Sequence, residues 1–273
     1  MGVLVAGGLS VYRACLLVSL AHATFRYQAH PDDDTELSTR VGDLATRYPR
    51  YGYRRITALL RQTERVNHKR VRRIWRQRQL QVKRLRRLRP RRSHSTQLQA
   101  TRPSQIWAYD FVEDALASGT PFKVLTVMDE FTREGLALDV ALTTSSERVI
   151  GVLTALFAQH GAPSYLRSDN GAEFVAQAVQ LWLHHSGVQT LYIEPGKPWQ
   201  NGKEERFNGT VRDECLNRFV FGSIAEACVR LNSYRHEYNS ERPHSSLGYL
   251  TPQAFRAAWI EAQQKQADPL IRT

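Results

Sequence analysis

The stretch Ile106-Trp-Ala-Tyr-Asp-Phe-Val112 decides the fold of this chain. Apolar and aromatic except at Asp110, it reads as a β-strand built into a core. Toward the C-terminus, residues 122–128 and 136–142 have the same character and follow after short gaps, the spacing of an antiparallel meander. Residues 145–160 change period, with Val149, Val152, Leu153, Leu156 and Phe157 at helical spacing. A short strand over 164–168 stops at Asp169-Asn-Gly, a helix is expected over 173–185, and residues 188–193 form a further strand. After the loop Pro195-Gly-Lys-Pro-Trp-Gln200, helices are expected over 201–216 and 224–238. Three strands, a helix, a strand, a helix, a strand and then helices describe one mixed five-stranded sheet with helices on both faces, an α/β architecture.

The region before Ile106 is all-α in pattern. Val11, Ala14, Cys15 and Val18 have helical spacing, residues 21–27 read as a second short helix, and Pro31 with Asp32, Asp33 and Asp34 reads as an exposed loop. Leu37, Val41 and Leu44, then Ile56, Leu59 and Leu60, mark two helices separated by the aromatic turn Tyr48-Pro-Arg-Tyr-Gly-Tyr53. Asn67 is placed to N-cap another, whose apolar stripe is Val71, Ile74 and Trp75. Seven of the ten residues from 83 to 92 are Lys or Arg, and residues 93–104 are polar without apolar periodicity, as a linker would be. The expected organisation is a helical segment over 1–30, a basic helical region over 31–82, an Arg-rich linker over 83–104, the α/β unit over 105–260 and a tail over 261–273.

A chain of 273 residues with 42% hydrophobic residues can bury two cores and is too apolar for wholesale disorder. Its net charge is +12, and the excess lies at one end. Residues 1–104 hold 23 basic and 6 acidic side chains, a balance of +17, while residues 105–273 hold 15 and 20, a balance of −5. That asymmetry excludes a uniformly basic packaging protein and assigns a polyanion to the first part. Cys15, Cys215 and Cys228 are widely spaced, without a CxxC pair, so neither a disulfide framework nor a zinc module is implied and a reducing, cytoplasmic setting fits. Residues 1–20 are apolar, but Arg13 interrupts them and no basic residue precedes them, so neither a signal peptide nor a membrane span is expected.

Three acids stand where a stable fold does not need them. Asp110 lies within an apolar strand, where an unpaired carboxylate is costly unless it meets a cation or a donor. Asp169 ends a strand, the place where α/β sheets put ligands, although Asp169-Asn-Gly alone would read as a turn. Glu205 lies one turn into a helix and follows Asp169 after 35 intervening residues. Its neighbour Glu204 competes for the role, and helical geometry separates them: Asn201, Glu205, Asn208 and Arg212 share one face, while Phe207, Val211 and Cys215 share another.

These residues sit in longer runs: Trp107-Ala-Tyr-Asp-Phe, Arg167-Ser-Asp-Asn-Gly-Ala-Glu-Phe174, Pro195-Gly-Lys-Pro-Trp-Gln-Asn-Gly-Lys-Glu-Glu-Arg-Phe-Asn208, Arg212-Asp-Glu-Cys-Leu216 and Tyr238-Asn-Ser-Glu-Arg-Pro-His-Ser-Ser-Leu-Gly248. In that order and with the D,D-35-E spacing, the chain resembles bacterial insertion-sequence transposases that share a catalytic core with retroviral integrases. The resemblance implies a ribonuclease-H-like fold and makes Asp110, Asp169 and Glu205 the catalytic metal ligands, for Mg²⁺ or Mn²⁺. The chemistry agrees, because phosphodiester exchange uses two divalent ions about 3.5–4 Å apart, and hard cations take carboxylate oxygens. Without a cation, three clustered carboxylates would repel one another.

Residues 47–82 resemble the family's helix-turn-helix segment in Tyr51-Gly-Tyr-Arg-Arg-Ile56 and Val66-Asn-His-Lys-Arg-Val71. Arg54, Arg55, Lys69, Arg70, Arg72, Arg73 and Arg76 are the expected DNA contacts there, with Lys197, Trp199, Asn201, Asn208 and Arg212 near the cleaved end. Arg242, Pro243 and His244 recur in the family, but no chemical role for them follows. The implied function is Mg²⁺-dependent 3′-end cleavage and strand transfer on terminal inverted repeats and target DNA, by a homo-oligomer. A DNA-binding regulator with a decayed core and a hydrolytic nuclease of the same fold are the competing readings. Family members also carry an upstream frame with a coiled coil. This chain has no heptad stretch, so it is expected to be the downstream product, acting with or fused to that upstream-frame protein.

Overall fold

The computed structural model describes residues 2–27, 34–82, 98–168, 177–193 and 201–267. Three short helices come first, α1 (Gly2–Ala6), α2 (Val11–Leu17) and α3 (His22–Arg26). Ser10 caps α2 through its hydroxyl, and the helix buries only Ala14 and Cys15, leaving Tyr12, Leu16 and Leu17 exposed.

A second helical group, α4 (Thr35–Arg47), α5 (Tyr53–Leu60) and α6 (His68–Gln77), closes around its own core. Leu37, Val41, Tyr48, Tyr51, Ile56, Leu60, Val71, Ile74 and Trp75 are all buried there. Asn67 is the N-cap of α6, as its position predicts, its Oδ1 accepting the Lys69 N–H at 2.9 Å. With Val71, Ile74 and Trp75 turned inward, the basic positions of α6 are left outside.

The α/β unit begins with the meander β1 (Ile106–Ala115), β2 (Pro121–Asp129) and β3 (Gly135–Ala141). The chain continues through α7 (Ser146–His160), β4 (Tyr165–Ser168), α8 (Gln177–His185), β5 (Gln189–Tyr192), α9 (Gly202–Glu214), α10 (Ile224–Ser240) and α11 (Pro252–Ala267). The sheet order is β3-β2-β1-β4-β5, with β1 antiparallel to β2 and parallel to β4. The mixed five-stranded sheet expected from the sequence is therefore present. Alternation along β1 and β2 supplies two cores. Trp107, Tyr109, Leu125 and Val127 pack against α7 and α8 on one face. On the other, Ala108, Val112, Val124 and Met128 pack against Phe207, Val211, Leu231 and Tyr238 of α9 and α10.

Most boundaries among the described residues fall within two residues of expectation, and two depart further. β1 runs three residues beyond Val112, and α11 crosses the expected end of the α/β unit at residue 260 and continues to Ala267. Phe255 and Trp259 of α11 meet the partly buried Phe131 ring at centroid distances of 5.5 and 6.0 Å. No helix among the described residues is long and apolar enough to cross a membrane.

Candidate active site

Ala108, Asp110 and Val112 share the face of β1 that α9 covers. Asp110 is half-buried, between two apolar neighbours and under the helix. Its Oδ2 accepts the Asn208 side-chain amide at 2.8 Å, and its Oδ1 accepts the Phe111 N–H at 2.7 Å. One turn further along α9, Arg212 donates to the Glu113 carbonyl. Asn208 and Arg212 thus lie along β1 together, as their shared face predicts. Glu205 precedes Asn208 by three residues on that stripe and is exposed.

Glu204 is its opposite. It falls in the stripe of Phe207 and Val211, has no accessible surface, and accepts the Thr126 hydroxyl on Oε1 at 2.8 Å. Burial pushes its pKa well above the ordinary carboxyl value; the Thr126 hydrogen bond opposes that shift, and the charges of Asp110 and Glu130 add to it. Its Oε2 has no hydrogen-bond partner among the described residues. The spacing 204, 207, 211 was the available signal that Glu204 points into the core.

Asn201 is buried at the N-cap of α9 and not presented to solvent, in contrast to its expected place on a phosphate backbone. Asp169, Lys197 and Trp199 lie outside the described residues. Among the described residues, no three His, Cys, Asp or Glu side chains are close enough together to hold a metal ion.

The cations of the basic helical region divide into exposed ones and ones held by carboxylates. Arg54, Lys69, Arg72 and Arg76 are exposed, with the Arg72 guanidinium 5.8 Å from the Tyr53 ring centroid. Arg70 and Arg73 both bind Asp34, the latter at 2.6 Å, and these bonds hold the Asp34 carboxyl below its usual pKa. Asp34 was read as part of an exposed loop, and its role as a counterion follows only from the packing of α4 on α6. Arg55 reaches the α/β unit, where its Nη1 is 3.1 Å from Glu214 Oε1.

Glu214 is a hub the sequence did not reveal. Arg242 binds it bidentately, with Nε to Oε2 at 2.6 Å and Nη2 to Oε1 at 2.7 Å, and both side chains are buried. The Tyr234 hydroxyl also donates to Glu214 Oε2, and the His244 ring lies against Arg242 and edge-on to Tyr238. Arg242 and His244 therefore belong to a buried polar network at the foot of α9. Three further pairs join the helical group to this unit: Arg47 and Tyr48 each with Glu241, and Arg50 with Asp213.

Comparison with known proteins agrees with both halves of this architecture. Residues 32–87 match the HTH-like domain, and residues 100–198 and 186–252 match two models of the integrase core domain. The chain is 40% identical over 252 residues to the insertion element IS407 uncharacterized 31.7 kDa protein of Burkholderia multivorans, covering 91% of each chain. It is 28% identical over 274 residues to transposase InsD for insertion element IS2A/D/F/H/I/K of Escherichia coli, covering 91% of this chain and 90% of that one. Among solved structures, a chain of the simian T-cell lymphotropic virus intasome in complex with PP2A regulatory subunit B56 gamma aligns with a TM-score of 0.51 at 17% identity, over 79% of this chain and 74% of that one. That last likeness concerns the fold alone, which is the ribonuclease-H-like fold of integrase cores. On the identity and coverage shared with its insertion-element relatives, the chain belongs to the insertion-element transposases that carry an HTH-like region ahead of an integrase core domain.

Proposed function

We propose that this transposase cleaves the 3′ ends of its element and joins them to target DNA, with Asp110, Asp169 and Glu205 as the ligands of a divalent cation, Mg²⁺ or Mn²⁺. The observation that carries the reading is the β1–β4 register. Partners in that parallel ladder differ by 59 in number, Ile106 with Tyr165 and Ala108 with Arg167, and Asp110 and Asp169 differ by 59 as well. The donor chemistry fits a hard cation: Asp110 offers carboxylate oxygen at a half-exposed position, and Glu205 stands exposed on the stripe of α9 whose Asn208 holds Asp110. Bound there, the cation would stabilise charge on the attacking and leaving oxygens of the phosphodiester. Asn208 fixes the Asp110 carboxylate rotamer, so the ligand is oriented before the cation arrives. Glu204, buried and bonded to Thr126, supports the helix from below and is not offered to the solvent side.

The exposed cations Arg54, Lys69, Arg72 and Arg76 are the arm's proposed contacts to the terminal repeat, with Lys197, Trp199 and Arg212 nearer the cut. Arg55, Arg70, Arg73 and Asn201 are less available, being engaged with Glu214, engaged with Asp34, or buried. The acting form is proposed to be a homo-oligomer on DNA, with the upstream-frame protein as partner. The test is a pair of neighbouring substitutions. Glu205→Gln should bind a labelled terminal repeat at wild-type affinity yet lose metal-dependent cleavage and strand transfer, whereas Glu204→Gln should keep both. An active Glu205→Gln enzyme would sink the assignment.

A further inference from the structure

Glu130 follows the last residue of β2 and is buried, yet it is a carboxylate with two cationic partners from distant parts of the chain. Its Oε1 lies 2.6 Å from Arg167 Nε on β4, and its Oε2 lies 2.9 Å from Lys203 Nζ in the first turn of α9. Its backbone N–H donates to the Ile106 carbonyl at 3.0 Å, at the start of β1. Arg167 is as deeply buried as Glu130, whereas the Lys203 side chain is one-third exposed. One residue is thus bonded to the strand that carries Asp110, to the strand that ends just before Asp169, and to the helix turn that carries Glu205.

Arg167 and Lys203 stand in the same relation to the two acids. Arg167 precedes Asp169 by two residues and Lys203 precedes Glu205 by two. Strand and helix meet at their ends here, with no ladder to set their separation, so a shared counterion between them fixes a distance that backbone hydrogen bonding cannot. A buried carboxylate holding two cations is also directional, because each oxygen is committed to one arm and a shift of either element breaks a charge pair in a low-dielectric setting.

From this bridge we infer that Glu130 is a positioning residue for the cation site, holding the end of β4 and the first turn of α9 at the spacing that lets their acids share an ion. The inference rests on the reading of Asp110, Asp169 and Glu205 as the ligands. Residues that orient ligands without touching the ion typically change metal affinity by about 10- to 100-fold when replaced, and Glu130 is expected at the lower end of that range because it acts through neighbours two residues away.

The test uses the full chain and Mn²⁺ alone, following the rise in melting temperature as the ion is added. Wild type should show a saturable rise that Asp110→Asn abolishes. Glu130→Gln keeps the shape and the acceptor but not the charge, and should need about 10-fold more Mn²⁺ to reach the midpoint. Lys203→Gln, at a partly exposed position, opens only the α9 arm; it should fold with a metal-free melting temperature near that of wild type and still need several-fold more Mn²⁺. A purely structural bridge would lower the metal-free melting temperature and leave both midpoints at the wild-type value, and that result would overturn the inference. If wild type shows no Mn²⁺-dependent rise, or Asp110→Asn keeps it, then the cation-site reading itself is what fails.

Discussion

His244 is held neutral by its surroundings. Burial, then the positive charges of Arg242 and Arg55, push its pKa from 6.5 down to about 2, and Tyr238 packs edge-on against the ring at 4.7 Å. An unfolded chain takes up a proton at this position as the pH falls through 6.5, while the folded chain does not. His244 therefore subtracts stability from pH 6.5 downward, by up to about 1.4 kcal/mol per pH unit, and contributes nothing above it. A His244→Phe variant should show a shallower loss of melting temperature between pH 6.5 and 4.5 than wild type, and equal slopes would remove His244 from the acid limb. Little of this was legible in the sequence. The Arg-Pro-His run was visible, but its meaning depends on Glu214, which lies 28 residues before Arg242 and carries no local mark. Asp110 was legible for the opposite reason, since a charge inside an apolar strand stands out against its own neighbours.

At the scale of elements, periodicity located the strands and most helices because each buries one continuous stripe or face. It failed at α11, which touches the α/β unit through Phe255 and Trp259 on Phe131 and through Arg256 on Glu134 while most of its residues are exposed, leaving no stripe to read. The packing of α9 on β3 shows what such patterns omit. A Cβ on Gly135 would stand 2.9 Å from Phe207 Cζ and 3.2 Å from Cε2, and both backbone groups of Gly135 are tied to the Asn239 amide at 2.9 Å. With its backbone pinned by α10, β3 cannot retreat from an added methyl group, so the Phe207 ring must move. Gly135→Ala should cost about 1–3 kcal/mol in urea denaturation. It should also lower cleavage more than binding, because Phe207 is two residues from Glu205 on the same helix; an unchanged unfolding midpoint would contradict this packing.

Across the whole molecule, the charge imbalance resolves into a seam. Cations of the helical region meet acids of the α/β unit at Arg47 with Glu241, Arg50 with Asp213 and Arg55 with Glu214. Magnitudes separate these pairs. Asp213 is nearly half exposed, so Asp213→Asn should change stability by less than about 1 kcal/mol. Glu214 is buried against Arg242, so Glu214→Gln leaves a guanidinium without its counterion and should cost about 3–5 kcal/mol in the same denaturation measurement. Equal effects from the two substitutions would show that Glu214 is not the hub of the seam. The sign of each module's charge could be read from the sequence, whereas the pairing across modules could not, because partners such as Arg55 and Glu214 are 159 positions apart.

That seam also turns the protein into a ruler. With α5 tied through Arg55 to the last residue of α9, the helical region that carries α6 is fastened to the helix that carries Glu205. On the function proposed above, the chain would measure its cut from the sequence it grips. A duplex turns once in about 10 base pairs, so one extra pair between grip and end would rotate the scissile bond by about a tenth of a turn away from the acids. The precision of the element's ends would then be set by a handful of ion pairs far from the chemistry.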